Sequence, residues 1–494
     1  MENNFVKYKD LLTIKEFDKN TDNEEFVYLP LEDEFVIGRY QENKNMLEYG
    51  EKIVVRKTVY EKLKEASKIL KKYNKNYKLI VVFGLRDMKV QEKFFYEIYD
   101  EVKENFTDKL EMYEYIHEKI AVPEVAGHPT GGAVDIAIYD NKENKIIDFG
   151  SNILDWDTKK CYFNCNEISE TAIENRKLLR NIMTKVGFAP YDGEWWHFSY
   201  GDKEWAFYYK KEKALYNQVN ADDIFKKVKY IKFIPGGNDT ALVLSKNYSK
   251  DEKKEINDEI MNEDKTIEQV GFVDKSDEPE LQMAGGEFCG NATRSSALYY
   301  LDGKCGNIKI KVNGKDIIET GVYQNGEAWC QIPLYIGENQ IVEIEEGIYK
   351  VRMNGMISIV IKENISKKYL ENKDELKETA LSFINKYKLK DSEAVGVMFL
   401  EQDEKLKINP VVWVRDIDTL FYETACGSGT TATAMVKAFL ENKNQEVEVV
   451  QPSGLIIKAN IEIEDSCVKK AIISGKVLSD FDEKEIVVLG KKNY

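Results

Sequence analysis

The sequence predicts an α+β protein of two domains. A chain of 494 residues exceeds the size at which a single hydrophobic core stops growing. Over residues 27–209, short apolar runs mix with amphipathic helical stretches, which indicates one α+β domain. The polar stretch 210–229 then precedes a new apolar run. We therefore predict domains at 1–225 and 226–494.

Individual elements follow from the hydrophobic pattern. The apolar runs 78–83 and 134–138 predict strands, and the periodicity over 59–73 and 175–186 predicts helices. The charge-rich stretch 246–265 carries apolar residues at helical spacing, so we interpret it as a solvated helix without a function of its own.

An internal repeat occurs only in the second half of the chain. The sequence CGNATR at 289–294 returns as CGSGTT at 426–431, and a helix-forming stretch follows each copy. Because the separation is close to half of the domain, we predict two pseudo-symmetric lobes, at about 226–345 and 346–494.

Composition and charge limit the kinds of binding partner that we expect. The net charge of −16, without a basic stripe, argues against nucleic acid. The polar start of the chain and the lack of a long apolar run predict a cytoplasmic protein without a membrane partner. Seven cysteines, an odd number, are expected to be reduced thiols. We expect small-molecule substrates as partners, and we leave open whether the chain forms a homodimer.

Two of the three histidines lie in distinctive motifs, His128 in GHPTGGAVD and His197 in GEWWH. Two imidazoles and one carboxylate suit Zn²⁺ in a catalytic site, which keeps a fourth position for water. Glu194 could then act as general base and Arg86 could stabilise an oxyanion, which is the chemistry of peptide hydrolysis. The alternative is that His128 caps a glycine-rich loop and His197 is a core histidine within an aromatic cluster.

Most of residues 27–209 resemble the D-alanyl-D-alanine dipeptidase family of zinc peptidases. The resemblance is carried by His128 with Asp135, by the segment 148–155 and by the block 175–202 that contains GEWWHFSYGD. It implies a zinc DD-peptidase-like α+β domain. The residue roles that it implies are zinc binding by His128, Asp135 and His197, catalysis by Glu194 and Arg86, and binding of the dipeptide's amino terminus by Asp155.

One position departs from this family. Ala126 stands two residues before His128, where many members have serine. A hydroxyl donor for the substrate's carboxylate is therefore missing, and the dipeptide accepted could differ from D-Ala-D-Ala.

Cys289 and Cys426 are the candidate catalytic thiols of the second half. Without a clear pyridoxal-phosphate lysine motif, a thiolate on one face of a substrate carbon and a thiol on the other could remove and return its proton. A helix N-terminus lowers a thiol pKa, and its amides can bind a carboxylate. The amides in question belong to Gly290, Asn291, Gly427 and Ser428. The alternative for each copy is a tight turn with cysteine as a small apolar filler.

Residues 230–494 resemble the diaminopimelate epimerase family. The matching elements are FIPGGND at 233–239, FCGNATR at 288–294 and ETACGSG at 423–429, in the expected order. The resemblance implies a diaminopimelate-epimerase-like fold of two α/β lobes, each with a helix wrapped by antiparallel strands. It also implies that no cofactor is needed and that Asn238 belongs to the substrate clamp.

The distal part of that family's substrate site is changed. The stretch DTLFY at 418–422 replaces an expected Glu-Arg-Gly, and MNGM at 353–356 replaces an expected Asn-Pro-His. Loss of the arginine removes a bidentate carboxylate partner. The chain therefore resembles the subgroup that acts on single amino acids, histidine racemases among them, and Asp418 could suit a basic or imidazole side chain.

Together these features predict a bifunctional enzyme of D-amino-acid metabolism. The alternatives are a D,D-carboxypeptidase acting on wall peptides, or a protein in which one domain only binds D-amino acids or wall fragments.

Overall fold

The computed structural model describes residues 5–16, 24–31, 36–38, 46, 49–50, 52–156, 158–276, 278–416 and 418–490. The chain forms two compact units. The first contains the described residues up to Lys226 with 489–490, and the second is Lys227–Val488. Among the described residues, no helix combines the length and apolar character that crossing a bilayer requires.

The first unit is an α+β structure. Its strands are β1 (Phe26–Tyr28), β2 (Val36–Gly38), β3 (Val54–Arg56), β4 (Tyr77–Phe83), β5 (Ala133–Asp140), β6 (Lys145–Ile146), β7 (Ala189–Pro190) and β8 (His197–Ser199). Its α-helices are α1 (Tyr8–Leu11), α2 (Lys57–Tyr73), α3 (Met88–Val102), α4 (Lys109–His117), α5 (Glu170–Lys185) and α6 (Lys203–Tyr208).

One sheet organises this unit. Its described strands follow the order β2-β4-β5-β8-β7, with β6 paired to β5, while β1 and β3 form a separate pair. The central strands β4 and β5 are mostly buried, as expected for strands with both faces covered. Helix α2 buries Val59, Leu63, Ala66 and Leu70, which form one stripe at helical spacing.

The second unit contains most of the strands. They are β9 (Phe225–Phe233), β10 (Asp239–Val243), β11 (Ile267–Val273), β12 (Glu280–Met283), β13 (Gly306–Val312), β14 (Asp316–Val322), β15 (Glu327–Gln331), β16 (Ile341–Glu345), β17 (Ile348–Met353), β18 (Met356–Ile361), β19 (Ala394–Gln402), β20 (Leu406–Val414), β21 (Thr419–Tyr422), β22 (Gln445–Val450), β23 (Ile456–Glu464), β24 (Cys467–Lys476) and β25 (Glu483–Leu489). Its helices are α7 (Lys250–Glu263), α8 (Gly290–Tyr300), α9 (Glu363–Leu370), α10 (Leu376–Lys386) and α11 (Gly427–Glu441).

Two buried helices, α8 and α11, lie at the centre of this strand system. Helix α8 contacts β10, β11 and β13–β15, and helix α11 contacts β16–β20 and β22–β24. Nearly every residue of α8 is buried, because strands surround it. The last strand, β25, is the neighbour of the first strand of the unit, β9, so the end of the chain returns to the sheet around α8.

The predicted fold class is confirmed. The helix expected over 59–73 occupies Lys57–Tyr73, and the helix expected over 246–265 occupies Lys250–Glu263 with Ile256 and Ile260 buried. The helix expected over 175–186 begins earlier, at Glu170, because the Ser169 side chain accepts a hydrogen bond from the Ala172 amide and caps it. Each repeat motif opens one of the two central helices.

Candidate active sites

The first site lies where β5 and β8 pair. Their antiparallel register places Asp135 directly opposite His197, and His128 lies in the turn that leads into β5. All three side chains are buried. One ligand atom from each can be chosen so that all of them lie within 4.8 Å of one another. The sheet register therefore brings together the three residues predicted to bind zinc.

The orientation of each imidazole suits a metal. His128 Nδ1 lies 2.8 Å from the Gly84 carbonyl oxygen, which leaves Nε2, 3.4 Å from Asp135 Oδ2, to act as a ligand. His197 Nδ1 lies 3.1 Å from Asp135 Oδ1, while its Nε2 lies 3.6 Å from Glu204 Oε2. Outer partners of this kind fix the tautomer and the ring plane of a ligand histidine. Two nitrogens and one carboxylate match the donor set of catalytic zinc.

Charge pairing dominates the electrostatics here. Burial alone would raise the pKa of Asp135, but His128 and His197 hold that pKa far below its usual range. Burial alone would also lower the pKa of His197, but the hydrogen bond to Asp135 and the Glu204 carboxylate raise it to about 10. Burial lowers the pKa of His128. Asp135 is thus an ionised carboxylate between two imidazoles, which suits a divalent cation.

Glu194 and Arg86 line the same cavity as these three residues. Glu194 Oε1 accepts a hydrogen bond from Trp156 Nε1 at 3.0 Å, and burial together with the Asp135 charge raises the pKa of Glu194. A raised pKa brings a carboxyl group closer to the range useful for a general base. Arg86 donates through Nη1 to Gln91 Oε1 at 2.8 Å. The structure therefore brings both predicted catalytic residues to the predicted metal ligands.

Asp155, predicted to hold the amino terminus of a dipeptide, lies elsewhere. It lines a neighbouring cavity with Asp148 and Lys160, and its chain neighbour Trp156 lines the cavity of the three ligands. The left-handed backbone of Leu154, with φ of 63°, redirects the chain just before these two residues. Sequence position alone could not show which of the adjacent side chains reaches the cavity.

Two residues of this cavity were missed from the sequence. Glu204 lines the cavity beside His197, and His117 lines it at the end of α4, so all three histidines of the chain belong to one cavity. The scarcity of histidine was the signal that could have pointed to His117. Glu204 carried no such signal, because it lies in a run rich in charged residues.

The second site starts from the two repeated helix ends. Cys289 caps α8 and Cys426 caps α11 with nearly the same backbone angles, φ of −126° and −133°. In each case Sγ accepts a hydrogen bond at 3.3 Å from the amide three residues further on. Cys289 Sγ also donates to Gln269 Oε1 at 2.6 Å. The alternative of an inert apolar filler does not explain these polar contacts.

The starts of the two helices lie close together. A Cβ placed on Gly290 or on Gly427 would meet the same atom, Ile473 Cδ1, at 2.6 and 2.8 Å. Asn238 and Asn291 both donate through Nδ2 to the Ala425 carbonyl, at 2.9 and 3.2 Å. The first-turn amides of a helix lack intrahelical partners. The predicted substrate-binding groups at Gly290, Asn291, Gly427 and Ser428 therefore face a common region. Asn238 is hydrogen-bonded to the backbone of that region.

The expectation of lowered thiol pKa values is wrong for this structure. Burial is the largest influence, and it raises the pKa of both Cys289 and Cys426 well above the usual thiol range. The Glu423 carboxylate raises the pKa of both thiols further, while the helix amides lower it by less than burial raises it. Both thiols are therefore protonated at neutral pH before a substrate binds.

Acidic side chains line the cavity next to the thiols. Glu268, Glu287 and Glu423 lie there with Gln269, the partner of Cys289. Burial raises the pKa of all three carboxyl groups, that of Glu423 to about 8. Asp418, expected to face the substrate, is exposed and instead accepts a hydrogen bond from Trp413 Nε1 at 3.1 Å. Its left-handed backbone, φ of 48°, belongs to the turn before β21.

Fold and site together define an enzyme with a metallopeptidase-like unit and a two-thiol isomerase-like unit. Comparison with known proteins indicates the same two classes. Residues 227–480 match the family described as histidine racemase CntK N-terminal domain, and residues 35–218 match the D-ala-D-ala dipeptidase family. The chain belongs to the histidine racemase family, and its first unit is similar to D-Ala-D-Ala dipeptidases. The resemblances predicted for the two halves are confirmed.

Individual relatives show how far each similarity extends. Histidine racemase of Fusobacterium nucleatum is 33% identical over 238 residues, which cover 46% of this chain and 86% of the relative. D-alanyl-D-alanine dipeptidase of Synechocystis is 29% identical over 126 residues, 22% of this chain and 51% of the relative. Among solved structures, a PhzF-family phenazine biosynthesis protein of Bacillus anthracis is 15% identical with a TM-score of 0.37, and the match covers 53% of this chain and 100% of that protein.

Proposed function

We propose that this chain is a bifunctional enzyme of D-amino-acid metabolism. Its first unit hydrolyses D,D-dipeptides with zinc, and its second unit racemises a free amino acid without a cofactor. The proposal is supported by two observations. The ligand atoms of His128, Asp135 and His197 lie within 4.8 Å of one another, and Cys289 and Cys426 cap two helices whose starts lie close together.

In the first unit, His128, Asp135 and His197 would hold the zinc ion. When bound, zinc activates water and polarises the peptide carbonyl. Glu194 accepts the proton of the attacking water and delivers it to the leaving amine. Arg86, fixed by Gln91, stabilises the negative charge that develops on the carbonyl oxygen.

In the second unit, one cysteine as thiolate removes the proton from the substrate α-carbon, and the other as thiol donates its own proton to the opposite face. One C–H bond breaks, one forms, and the thiolate and the thiol exchange roles. The first-turn amides of α8 and α11 bind the substrate carboxylate and stabilise the enediolate-like charge. Pyridoxal phosphate is not required in this scheme.

We infer a substrate with a basic or imidazole side chain, histidine being the first candidate. Glu268, Glu287 and Glu423 line the cavity beside the thiols, and carboxyl groups without a cation among the described lining residues favour a positively charged or hydrogen-bond-donating guest. The matched relatives named histidine racemase are consistent with this choice. The substrates are small molecules, and the need to keep two catalytic thiols reduced favours the cytoplasm.

The test is a mass-spectrometric screen in D₂O with zinc-loaded protein, a panel of L,L, L,D and D,D dipeptides, and free amino acids. We expect cleavage of D,D members and incorporation of deuterium at the α-carbon of histidine. Cleavage restricted to L,L dipeptides would refute the first activity. Labelling of diaminopimelate alone would refute the proposed substrate, and removal of terminal residues from wall peptides in preference to dipeptides would favour a carboxypeptidase.

A further inference from the structure

Besides the ligand triad, two groups of polar side chains line the cavity of the first unit. Glu194 and Glu204 lie near the ligand triad, whereas the lining side chains of His117, Glu118 and Lys119 come from the end of α4 and the residues that follow it. A dipeptide presents a free carboxylate close to its scissile bond. The other two imidazoles are assigned to the metal, Arg86 is assigned to the carbonyl oxygen, and the Trp156 indole donates to Glu194. His117, Lys119 and the Tyr191 hydroxyl are the donor-bearing side chains of this cavity that remain for the carboxylate.

His117 is a neutral hydrogen-bond donor. Its ring is 5% exposed, and its Nδ1 accepts a hydrogen bond from the Val122 amide at 3.3 Å. With Nδ1 acting as acceptor, the proton of the neutral ring is on Nε2. Burial lowers the pKa of His117 to about 4, so the ring stays in this form at neutral pH. A fixed Nε2–H is suited to a carboxylate oxygen.

The segment that carries His117 is held relative to Arg86. Gln91 on α3 donates through Nε2 to the Ala121 carbonyl oxygen at 2.8 Å, and its Oε1 accepts from Arg86 Nη1 at 2.8 Å. One side chain thus connects the proposed oxyanion group with the residues after α4. The spacing between the two substrate contacts is thereby fixed before a substrate arrives, which lowers the entropic cost of binding.

We propose that His117 binds the C-terminal carboxylate of the dipeptide, assisted by the exposed Lys119 at the edge of the same cavity. This inference rests on the proposed dipeptidase function and extends it, because it makes a free carboxylate next to the scissile bond a requirement. His117 is then a specificity-determining residue of this chain. A hydrogen bond to a charged group corresponds to about tenfold to hundredfold in affinity.

The experiment uses a pair of substitutions that separate the two ring nitrogens. His117→Asn supplies an acceptor oxygen near the position of Nδ1 and keeps the Val122 contact, but removes the donor at Nε2. His117→Gln can supply an amide N–H near the position of Nε2. Both are made in the full chain carrying Glu194→Gln and loaded with zinc, so that a dipeptide binds without being cleaved. Calorimetry measures the dissociation constants of a D,D-dipeptide and of its C-terminal amide.

We expect the Glu194→Gln protein to bind the free acid about tenfold to hundredfold more tightly than the amide. His117→Asn removes most of this ratio, and His117→Gln restores much of it. Lys119→Gln lowers the ratio by a smaller factor, and Lys109→Gln, at the other end of α4, leaves it unchanged. A ratio that His117→Asn does not change overturns the inference.

Failure of the proposed function gives a different result. If the wild-type protein cleaves no dipeptide while the acid-to-amide ratio depends on His117, the hydrolytic function is wrong and the carboxylate site stands. If the wild-type protein cleaves D,D-dipeptides and His117→Asn weakens binding of acid and amide equally, the function stands and the inference is wrong. Histidine-selective ¹⁵N spectra give a further readout, because the chain has three imidazoles and the dipeptide should shift the Nε2 signal of His117.

Discussion

In the first unit a buried carboxylate, Asp135, lies between two imidazoles. In the second unit, three carboxyl groups line a cavity next to the two thiols, and no cation is among the described residues that line it. The consequences for the pKa values are opposite. Asp135 is held far below its usual range, while Glu268, Glu287, Glu423 and both thiols are raised. Burial is common to both sites, and the sign of the neighbouring charges makes the difference.

This contrast indicates what each site lacks. The first site has its charged carboxylate in place and suits a divalent cation held by three fixed ligands. In the second site, burial disfavours the ionised forms of the acids and thiols, and the positive ammonium group of an amino acid would favour them. Under the proposed function, the second site is therefore expected to become active through its substrate, and the first site through a metal ion.

The largest expected effect separates the two units. Cys289→Ser or Cys426→Ser should lower racemisation by about 10³-fold, because serine does not form the required anion at neutral pH. Dipeptide hydrolysis by the same preparations should be unchanged. Chiral chromatography of the amino acid and a dipeptide cleavage assay measure the two rates. Cys305→Ser, at an exposed thiol, is the control. Loss of both activities in the Cys289 variant would contradict the independence of the sites.

Glu194→Gln is the corresponding change in the first unit. We expect hydrolysis to fall by about 10²-fold to 10⁴-fold with one zinc still bound, since Glu194 is assigned as the base and not as a ligand. Elemental analysis and steady-state kinetics test the two parts of this expectation. His197→Ala should differ by losing the metal as well. Zinc loss in Glu194→Gln would show that the carboxylate is a ligand.

Acid stability provides a smaller effect that involves His117. Its pKa is about 4 in the folded state and about 6.5 when unfolded, so the unfolded chain binds more protons between these values. Stability should therefore fall as pH drops below 6.5. From pH 7.5 to 5.0 this residue alone accounts for about 2 kcal/mol. Urea unfolding of wild type and His117→Asn at both pH values measures the difference, and an equal pH dependence in the two proteins would refute it.

The pH profile of racemisation tests the protonation of the two thiols in the free enzyme. Because burial raises the pKa of both thiols, the thiolate fraction of the free enzyme rises with pH throughout the neutral range. We expect kcat/KM to rise by about tenfold per pH unit between 6.5 and 8.5. Initial rates of α-proton exchange across this range provide the measurement. A flat profile would show that a thiolate already exists in the free enzyme.

Much of the fold could be predicted because local patterns report burial. The stripe of Val59, Leu63 and Leu70 predicted α2 within two residues, and the apolar run 78–83 predicted β4 within one. The residue at which a helix begins was harder to predict, as for α5 at Glu170, because a cap depends on one side chain and not on periodicity.

The candidate sites were predictable where an uncommon residue stood in a distinctive motif, as with His128, His197, Cys289 and Cys426. Residues that reach a site through the fold alone carried no such signal. Gln269 reaches Cys289 from β11, and Glu268 and Glu287 join the cavity from separate segments. Asp418 and Asp155 show the converse. Each has a suitable side chain next to a motif, but the backbone takes a left-handed turn at or just before it, and the residue lies outside the expected cavity.

The sequence by itself determined the classes of reactive groups, their attachment to helix starts and strand ends, and the two-part organisation of the chain. Only the tertiary structure decided the protonation of those groups. Helix amides lower a thiol pKa locally, but the removal of water by surrounding strands and the approach of Glu423 raise it by more. Those influences act through space between segments distant in the chain, and no local pattern records them.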